Sequence, residues 1–428
     1  MKSKHELRWV RLDNAAKIYP AARTRRWSNV FRLSATLTEP VDTEILQSAL
    51  DATVPRFPTI AARLRRGVFW YYLQQLQAAP EVLPEYSYPL AYMHPDEART
   101  CAFRVIVHEN RIAAEFFHSL TDGTGGLIFL KTLVAEYLQQ KYGIRIPAVC
   151  GVLDRQEEPT REEMTDSFLQ YAGPVSASRK ETDAYRFHGT REPDDRLNLI
   201  CFQMDTAAVL QKAHAYDTTL TGFLCAALMQ AILNLQAETI PDIRRRKAVK
   251  VLIPVNLRKL FPSKSLRNFA LYSIPELDPR LGDYDFREIC KIVKLKMDAD
   301  ITPKQMSRMI ATNVSSERLL AVRLLPLPIK NLVMKAVFHA VGERKSFMSL
   351  SNLGAVQLPN EMKPYITRMD FILGVQATAP HNCGVISFGD KLYLNFVRNI
   401  KEPDLERHVW HVLQTLGLSV TVQSNQEA

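Results

Sequence analysis

The 428-residue chain lacks several features, and each absence excludes a class of protein. None of its six cysteines forms a C-x-x-C pair, the spacing typical of zinc and dithiol sites, so free thiols in a reducing compartment are expected. Its 16 glycines and 24 prolines are too few for a collagen-like or linker-dominated chain. The charged start of the sequence has no continuous apolar stretch of the kind that a secretory signal requires. These absences predict a globular, cytoplasmic protein.

No segment is predicted to cross a membrane. The nearest candidate, Thr219–Gln236, is interrupted by Gln230 and Asn234 and is expected to be a buried core helix. A second apolar stretch, Leu319–Val341, contains three basic residues and two prolines. It is expected to pack under a sheet, with a membrane surface or an acyl-chain channel as the alternatives.

Basic residues exceed acidic ones by ten, which favours an anionic partner. The densest clusters, Arg63–Arg66 and Arg244–Lys247, are expected to be solvated surface, with docking of a phosphate-bearing ligand or an acidic protein as the alternative. No helix-turn-helix, zinc finger or aromatic RNA-binding pattern accompanies the charge, so nucleic acid is not expected as a partner.

The length predicts two domains at about 100–200 residues each. An acidic stretch with a proline, Asp154–Asp166, lacks apolar periodicity and separates two halves. The predicted units are an N-terminal subdomain over 1–153, a linker over 154–185 and a C-terminal subdomain over 186–428. Strand and helix patterns mix in both halves, so the fold class is α/β or α+β.

Apolar alternation and helical periodicity place the elements along the chain. The predicted strands are Asn29–Leu37, Gly67–Leu73, Cys101–His108, Arg111–Phe117, Leu197–Met204, Lys247–Val255, Phe347–Leu353, Met369–Ala377, Gly384–Phe388 and Lys391–Val397. The predicted helices are Asp42–Val54, Gly126–Lys141, Thr218–Gln236 and Pro403–Leu416.

The segment Phe116–Gly126, FFHSLTDGTGG, carries an H-x-x-x-D-G string where a strand ends and a helix is about to begin. An imidazole titrates near neutral pH, so His118 can take a proton from a hydroxyl, an amine or a thiol. Asp122 can pair with a cation and hold the loop, and Gly123 permits a conformation or close approach that a Cβ would block. Composition alone predicts the string roughly 0.02 times. The alternative is that His118 only caps the strand and Asp122 only turns the chain.

Two further segments with recognisable motifs follow this string along the chain. Ile253–Tyr272 contains Pro-Val-Asn-x-Arg and then Asn-Phe, and Ser351–Pro359 begins with Ser-Asn. Together with the string, they resemble the chloramphenicol acetyltransferase-like superfamily of CoA-dependent acyltransferases, which includes condensation domains, BAHD acyltransferases, wax-ester synthases and alcohol acetyltransferases. The N-terminal RLDNAAKIYP and FPTIAARLRRGVFWYYL look like the alcohol-acetyltransferase branch. Condensation domains usually carry two consecutive histidines, whereas Phe117 precedes His118 here.

The resemblance implies a role for each matching residue. His118 would be the general base on the acceptor as that atom attacks an acyl thioester, with no acyl-enzyme. Asp122 would be structural, its carboxylate paired with Arg258 across the two halves, and Gly123 completes the motif.

The supporting residues are less sharply defined. Ser351 and Asn352 are candidates for stabilising the oxyanion, and a strand-end turn before Gly354 is the alternative. Asn268 either supports the site or bridges backbone groups, as buried asparagines usually do.

The fold implied by the resemblance is two subdomains, each a mixed sheet flanked by helices, with an active-site tunnel between them. The expected reaction moves an acyl group, in the first place acetyl, from acyl-CoA as co-substrate to a small alcohol, with an amine as the other acceptor. No tightly bound cofactor is expected. The alternatives are condensation or release chemistry with an acyl carrier protein, and a non-catalytic binding protein that keeps the fold.

No metal site is predicted. His408 and His411 have an i, i+3 spacing that could bind a metal, but no third ligand accompanies them, so they are expected to be ordinary helix residues. His381 and Cys383 are expected in a loop between two strands.

Overall fold

The computed structural model describes residues 9–23, 29–86, 88–173, 183–318, 324–337, 345–375 and 379–426. Within them the chain forms mixed sheets flanked by helices, as predicted. The strands are β1 (Trp9–Arg11), β2 (Val30–Leu37), β3 (Ala62–Arg66), β4 (Tyr71–Gln75), β5 (Leu83–Pro84), β6 (Phe103–His108), β7 (Arg111–Phe117), β8 (Asn198–Asp205), β9 (Val249–Asn256), β10 (Ala270–Ser273), β11 (Glu276–Leu277), β12 (Met348–Ala355), β13 (Ile366–Leu373), β14 (His381–Phe388), β15 (Lys391–Arg398) and β16 (Thr421–Ser424). The helices are α1 (Ile18–Ala22), α2 (Thr43–Thr53), α3 (Pro95–Thr100), α4 (Gly123–Tyr142), α5 (Thr206–Ala215), α6 (Leu220–Thr239), α7 (Phe286–Asp300), α8 (Pro303–Arg318), α9 (Leu327–Val337) and α10 (Asp404–Thr415).

The sheet of the N-terminal half has the order β13–β2–β7–β6–β5. β6 and β7, both predicted as strands, form a hairpin, and Glu109 in its turn has a left-handed φ of 50°. Phe116 on β7 contacts Phe31, Phe103 and Phe129, so β2, β6 and α4 share one aromatic core. This core holds the end of β7 rigidly, because aromatic pairs each contribute about 0.5–1.5 kcal/mol beyond their buried area.

A small sheet, β1–β4–β3, flanks this half and corrects one predicted strand. The aromatic run Gly67–Leu73 is not a single strand, because the Gly67 N–H donates to the Trp70 carbonyl at 3.0 Å and closes a turn. β4 begins only at Tyr71.

The sheet of the C-terminal half has the order β10–β9–β12–β14–β15–β8–β16, and β11 pairs with β9. α6 contacts α7, α10 and β9, which confirms the predicted core helix. Its buried Gln236 donates to the Lys247 carbonyl at 3.0 Å and accepts from the Lys247 N–H at 2.6 Å. Among the described helices, α6 alone is apolar and long enough to span a membrane, and 67% of its most apolar window is buried inside the protein.

One strand from the second half of the chain belongs to the sheet of the first. β13 pairs antiparallel with β2, while β12 before it and β14 after it lie in the other sheet. At the crossing, a Cβ on Gly384 would overlap the Phe371 carbonyl oxygen, and the Asn395 amide donates to that oxygen at 3.3 Å. The two sheets are therefore joined in two ways. The chain crosses from one sheet to the other and back at β13, and the backbones of the two sheets are in direct contact at Gly384.

The acidic stretch between the halves lies largely on the surface and is fastened by several contacts, among them those of Glu163. Glu163 accepts two hydrogen bonds of 2.8 Å from the buried Arg56 guanidinium. Its carbonyl accepts from the Leu266 N–H at 2.9 Å, so the stretch ties α2's end to the loop after β9. Residues 174–182 of the predicted linker lie outside the described residues.

The predicted loop at His381 and Cys383 is wrong. Both lie in β14, where His381 pairs with Arg398 and Cys383 with Phe396 of β15. Burial lowers the pKa of His381 to about 3, so the ring is neutral. No group of three or more metal-ligating side chains occurs in the described parts of the chain.

Candidate active site

His118 lies immediately after β7, where the two halves meet. Its N–H donates to the Asn29 carbonyl at 2.8 Å, which fixes the backbone at the strand exit. The imidazole stacks on Tyr19 with ring centroids 4.6 Å apart and meets the edge of Phe31 at 5.1 Å. The residue is only partly exposed, and these two aromatic rings enclose the flanks of the imidazole.

Asn268 from the second half determines which nitrogen of the ring carries the proton. Its Nδ2 donates to the His118 carbonyl at 3.0 Å and to Asp13 Oδ2 at 3.2 Å. The amide oxygen then faces His118 Nδ1 at 3.0 Å and can only accept. Neutral His118 therefore carries its hydrogen on Nδ1, and Nε2 keeps its lone pair. None of the described residues hydrogen-bonds to Nε2.

The enclosure of the ring sets its protonation. Burial lowers the pKa of His118 below the ordinary 6.5, and this outweighs the hydrogen bond that the ring donates to Asn268 and the negative charges of Asp122 and Asp13. At neutral pH the imidazole is consequently in the form that accepts a proton.

This shift predicts the pH dependence of any reaction in which His118 is the base. Because protonation removes the lone pair, the rate should fall about tenfold per pH unit below the pKa of the ring. The acidic limb of kcat/KM is expected to have its midpoint below pH 6.5. A midpoint at or above that value would contradict the enclosed, neutral imidazole.

Replacing Asn268 with alanine tests its positioning role. The loss of the acceptor for Nδ1–H should reduce kcat on the order of 10–100-fold, the equivalent of one hydrogen bond to a charged group. Because this hydrogen bond also raises the pKa of His118, the acidic limb should move to still lower pH. Asn198→Ala is the control, because it also removes a buried amide but one far along the chain. It should change neither kcat nor the midpoint of the acidic limb. A purely structural Asn268 would lower stability and leave the pH profile in place.

Asp122 joins the start of α4 to the second half. Its Oδ1 accepts from the N–H groups of Thr124 and Gly125, both at 3.1 Å, as an N-cap does. Its Oδ2 accepts from Arg258 Nη1 at 2.7 Å and from the Phe269 N–H at 2.9 Å. The predicted contact with Arg258 is confirmed. The cap also explains why α4 begins at Gly123, three residues before the predicted start.

Arg258 organises the loop that carries Asn268. Its guanidinium donates to the Ser265 carbonyl at 2.8 and 2.9 Å and to the Arg267 carbonyl at 2.5 Å. Asp122 and Arg258 thus act at a distance from the imidazole, by holding the loop whose asparagine orients it.

Sequence reasoning missed Asp13 and Arg267. Asp13 is fully buried, accepts from Asn268 and the Ala16 N–H, and lies 3.7 Å from Arg267. Burial raises the pKa of Asp13, and Arg267 opposes that rise. Asp13 lies within RLDNAAKIYP, the N-terminal segment that contributes to the resemblance. Its position in the sequence does not reveal that it accepts a hydrogen bond from Asn268.

The glycines after Asp122 differ in what they permit. A Cβ on Gly123 would come within 2.7 Å of Leu353 Cδ2, the mobile end of a side chain. A Cβ on Gly125 would overlap the Leu266 carbonyl oxygen and Thr121 Oγ1. Gly125 is therefore the position where a side chain cannot be accommodated, whereas Gly123 could accept a small one.

Paired substitutions test this difference. Gly125→Ala should lower the free energy of unfolding by about 1–3 kcal/mol, because backbone atoms must move. Gly123→Ala should cost clearly less, since only the Leu353 side chain has to rotate. Chemical denaturation of both variants measures the difference, and equal losses would contradict it.

Ser351 and Asn352 lie on β12, which continues with a register shift to Ala355. The Asn352 amide donates to Thr221 Oγ1 at 3.0 Å and accepts from the Gly354 N–H at 2.8 Å. Both residues are partly exposed, and no described hydrogen bond joins either to His118. Their contribution to an oxyanion site stays a prediction.

The two larger described cavities lie away from the imidazole. One of about 390 Å³ borders α4 and residues 145–156. The other, of about 350 Å³, lies between β2, β13, β15 and the C-terminal strand β16. Neither is lined by His118, so the predicted tunnel stays a prediction.

No protein-family model and no curated protein sequence matches the chain. Solved structures do match it over nearly its whole length. A trichothecene 15-O-acetyltransferase from Fusarium sporotrichioides has a TM-score of 0.60 at 11% identity, covering 97% of this chain and 96% of that one. The first condensation domain of the CDA synthetase has a TM-score of 0.60 at 13% identity, covering 97% and 99%. The chain has the chloramphenicol acetyltransferase-like fold. The starter condensation domain of rhizomide synthetase, in complex with C8-CoA, also matches, with a TM-score of 0.60 at 14% identity over 95% and 94%.

On this chloramphenicol acetyltransferase-like fold, β13 joins the two sheets, and the contact between His118 and Asn268 is a second link between the halves. The neighbours include an acetyltransferase and condensation domains, and also an epimerization domain. At 11–14% identity the likeness shows the fold alone.

Proposed function

We propose that the protein transfers an acyl group, in the first place acetyl, from a CoA thioester to an alcohol, with His118 as the general base. The observation that carries the proposal is the hydrogen bond of 3.0 Å between His118 Nδ1 and Asn268, which leaves Nε2 with its lone pair at the junction of the two halves. A base for a hydroxyl needs such a lone pair and a pKa suited to neutral pH.

The proposed step needs no acyl-enzyme. Nε2 takes the proton of the acceptor hydroxyl while the oxygen forms a bond to the thioester carbonyl carbon. The resulting tetrahedral centre breaks its carbon–sulfur bond, and the imidazolium returns the proton to the departing thiolate. The products are an ester and free CoA, and Ser351 or Asn352 would donate to the oxyanion between these events.

The fold neighbours also favour a second donor. Condensation domains of peptide synthetases act within carrier-protein assemblies, and two of the similar structures are such domains. In this alternative the same base accepts the proton, and a phosphopantetheinyl carrier protein replaces CoA as the donor. Phe117, in place of a first histidine, favours the CoA reaction on the resemblance set out above.

A thiol-release assay tests the proposal. Acetyl-CoA and longer acyl-CoAs are incubated with the full chain and a panel of alcohols and amines, and an acylated carrier protein is run alongside. We expect thiol release that depends on an alcohol and is faster with acyl-CoA. Release only from the carrier protein would favour the second donor. No release from any donor would favour a binding protein that keeps this fold.

A further inference from the structure

Helix α9 exposes apolar side chains to solvent, whereas a surface helix usually exposes polar ones. Ile329, Leu332 and Val333 are 53%, 70% and 50% exposed, and their spacing puts them on one side of the helix. Lys330, on the flank of the helix next to this stripe, is only 2% exposed. The helix therefore turns a charged side chain inward and an apolar stripe outward.

The inward face is held by specific contacts, so the orientation of the helix is determined. Lys330 Nζ donates to the Phe69 carbonyl at 2.8 Å and lies 3.5 Å from the centre of the Trp70 ring. The Asn331 amide donates to Tyr71 Oη at 3.0 Å. Rotating the apolar stripe inward would break these contacts and expose Trp70, so the stripe is not buried against the part of the chain that the structure describes.

The stripe continues onto the neighbouring hairpin. The turn between β3 and β4 exposes 72% of Val68 and 42% of Phe69, and the Val68 carbonyl accepts from the Leu327 N–H at 2.9 Å. Leu324, just before α9, is 69% exposed. We call the six residues Val68, Phe69, Leu324, Ile329, Leu332 and Val333 the apolar face. A contiguous patch of this kind marks an interaction surface.

Exposed basic residues lie beside the apolar face. The sequence from Leu319 to Val341 contains no aspartate or glutamate. Lys335 on α9 and Arg66 beside the hairpin turn are exposed. Glu317, at the end of α8, is paired with Lys17. A second copy of the chain would bring like charges together, whereas an anionic surface would complement them.

We propose that the apolar face docks onto an anionic lipid bilayer. Apolar side chains would enter the acyl region while Lys335 and Arg66 meet the phosphate headgroups. α9 contacts α1, and Tyr19 of α1 stacks on His118. α9 and α1 thus lie between the docked bilayer and the imidazole, a position suited to an apolar substrate that resides in the membrane. The docking itself does not depend on the proposed acyl transfer.

Sedimentation with vesicles tests the docking. The full chain is mixed with vesicles of phosphatidylcholine alone or with 30% phosphatidylglycerol. We expect binding to the anionic vesicles and at least about tenfold weaker binding for Leu332→Glu, since one fully buried leucine is worth that much. Leu281→Glu is the matched control, because Leu281 is 81% exposed and lies outside the apolar face. It should bind as the wild type does.

A charge variant separates lipid from other occupants. Lys335→Glu should weaken binding to anionic vesicles by about fivefold or more, as expected for a juxtamembrane lysine. Equal binding to neutral and anionic vesicles, or unchanged binding by Leu332→Glu, would overturn the proposal. So would a wild-type dimer that Leu332→Glu dissociates and that binds no vesicles. Thermal melts of the three variants should match the wild type, because each replaced side chain is exposed.

Discussion

Replacing His118 with alanine is expected to reduce acyl transfer by about 10²–10⁴-fold, the usual contribution of a general base. The substitution removes Nε2 and leaves the donor and acceptor surfaces in place, so the loss should fall on kcat more than on KM. Thiol release with saturating acyl-CoA and alcohol measures it. The variant should still fold, because the imidazole lies at the margin of the aromatic core beneath β7 and meets only the edge of Phe31.

The control for this variant is His108→Ala. His108 is exposed at the end of β6, on the same hairpin, and makes no contact with the site. Its removal should leave the rate unchanged. If both variants retain full activity, His118 is not the base, and the lone pair on Nε2 takes no part in catalysis.

Replacing Asp122 with alanine is expected to have the largest effect on stability, a loss of about 3–5 kcal/mol in the free energy of unfolding. The substitution leaves the Arg258 guanidinium, whose side chain is 12% exposed, without its carboxylate. It also removes the N-cap of α4 and the acceptor of the Phe269 N–H. Urea denaturation, monitored by circular dichroism, measures the change.

Glu162→Ala provides the comparison for Asp122→Ala. The Glu162 carboxylate is 55% exposed and lies 3.9 Å from Lys264, so its loss should be small. Asp122→Ala and Arg258→Ala should not be additive, because each destroys the same pair. A loss for Asp122→Ala no larger than for Glu162→Ala would show that the pair does not hold the two halves together.

The local elements were predictable where one physical pattern dominated. The strand before His118 and the hairpin of β6 and β7 follow from alternating apolar residues and a two-residue turn. The Asp122–Arg258 contact followed from the resemblance, which places the two motifs in a known relation. By contrast, the run Gly67–Leu73 looked like one strand, because the Gly67–Trp70 turn is closed by a backbone hydrogen bond that composition does not reveal.

Long-range partners account for what the sequence could not predict. Asp13 reaches Asn268 across 255 positions, and its partners depend on how α1 packs. The crossing of β13 into the other sheet requires the close approach at Gly384, which no local pattern encodes. For the stretch that contains α9, the sequence offers a membrane surface only as an alternative to packing under a sheet, because its periodicity is that of an ordinary amphipathic helix. Only the contacts of Lys330 show which face of α9 is inside.

The most direct test of the account is the pH dependence of single-turnover acyl transfer, measured side by side for the wild type and His118→Ala. The pKa of the enclosed imidazole lies below 6.5. At pH values below that pKa the imidazole is protonated, and the wild-type rate should fall about tenfold per pH unit. The residual rate of His118→Ala should lack this acidic limb. An identical limb in both proteins would contradict the account, because the group that titrates would then not be His118.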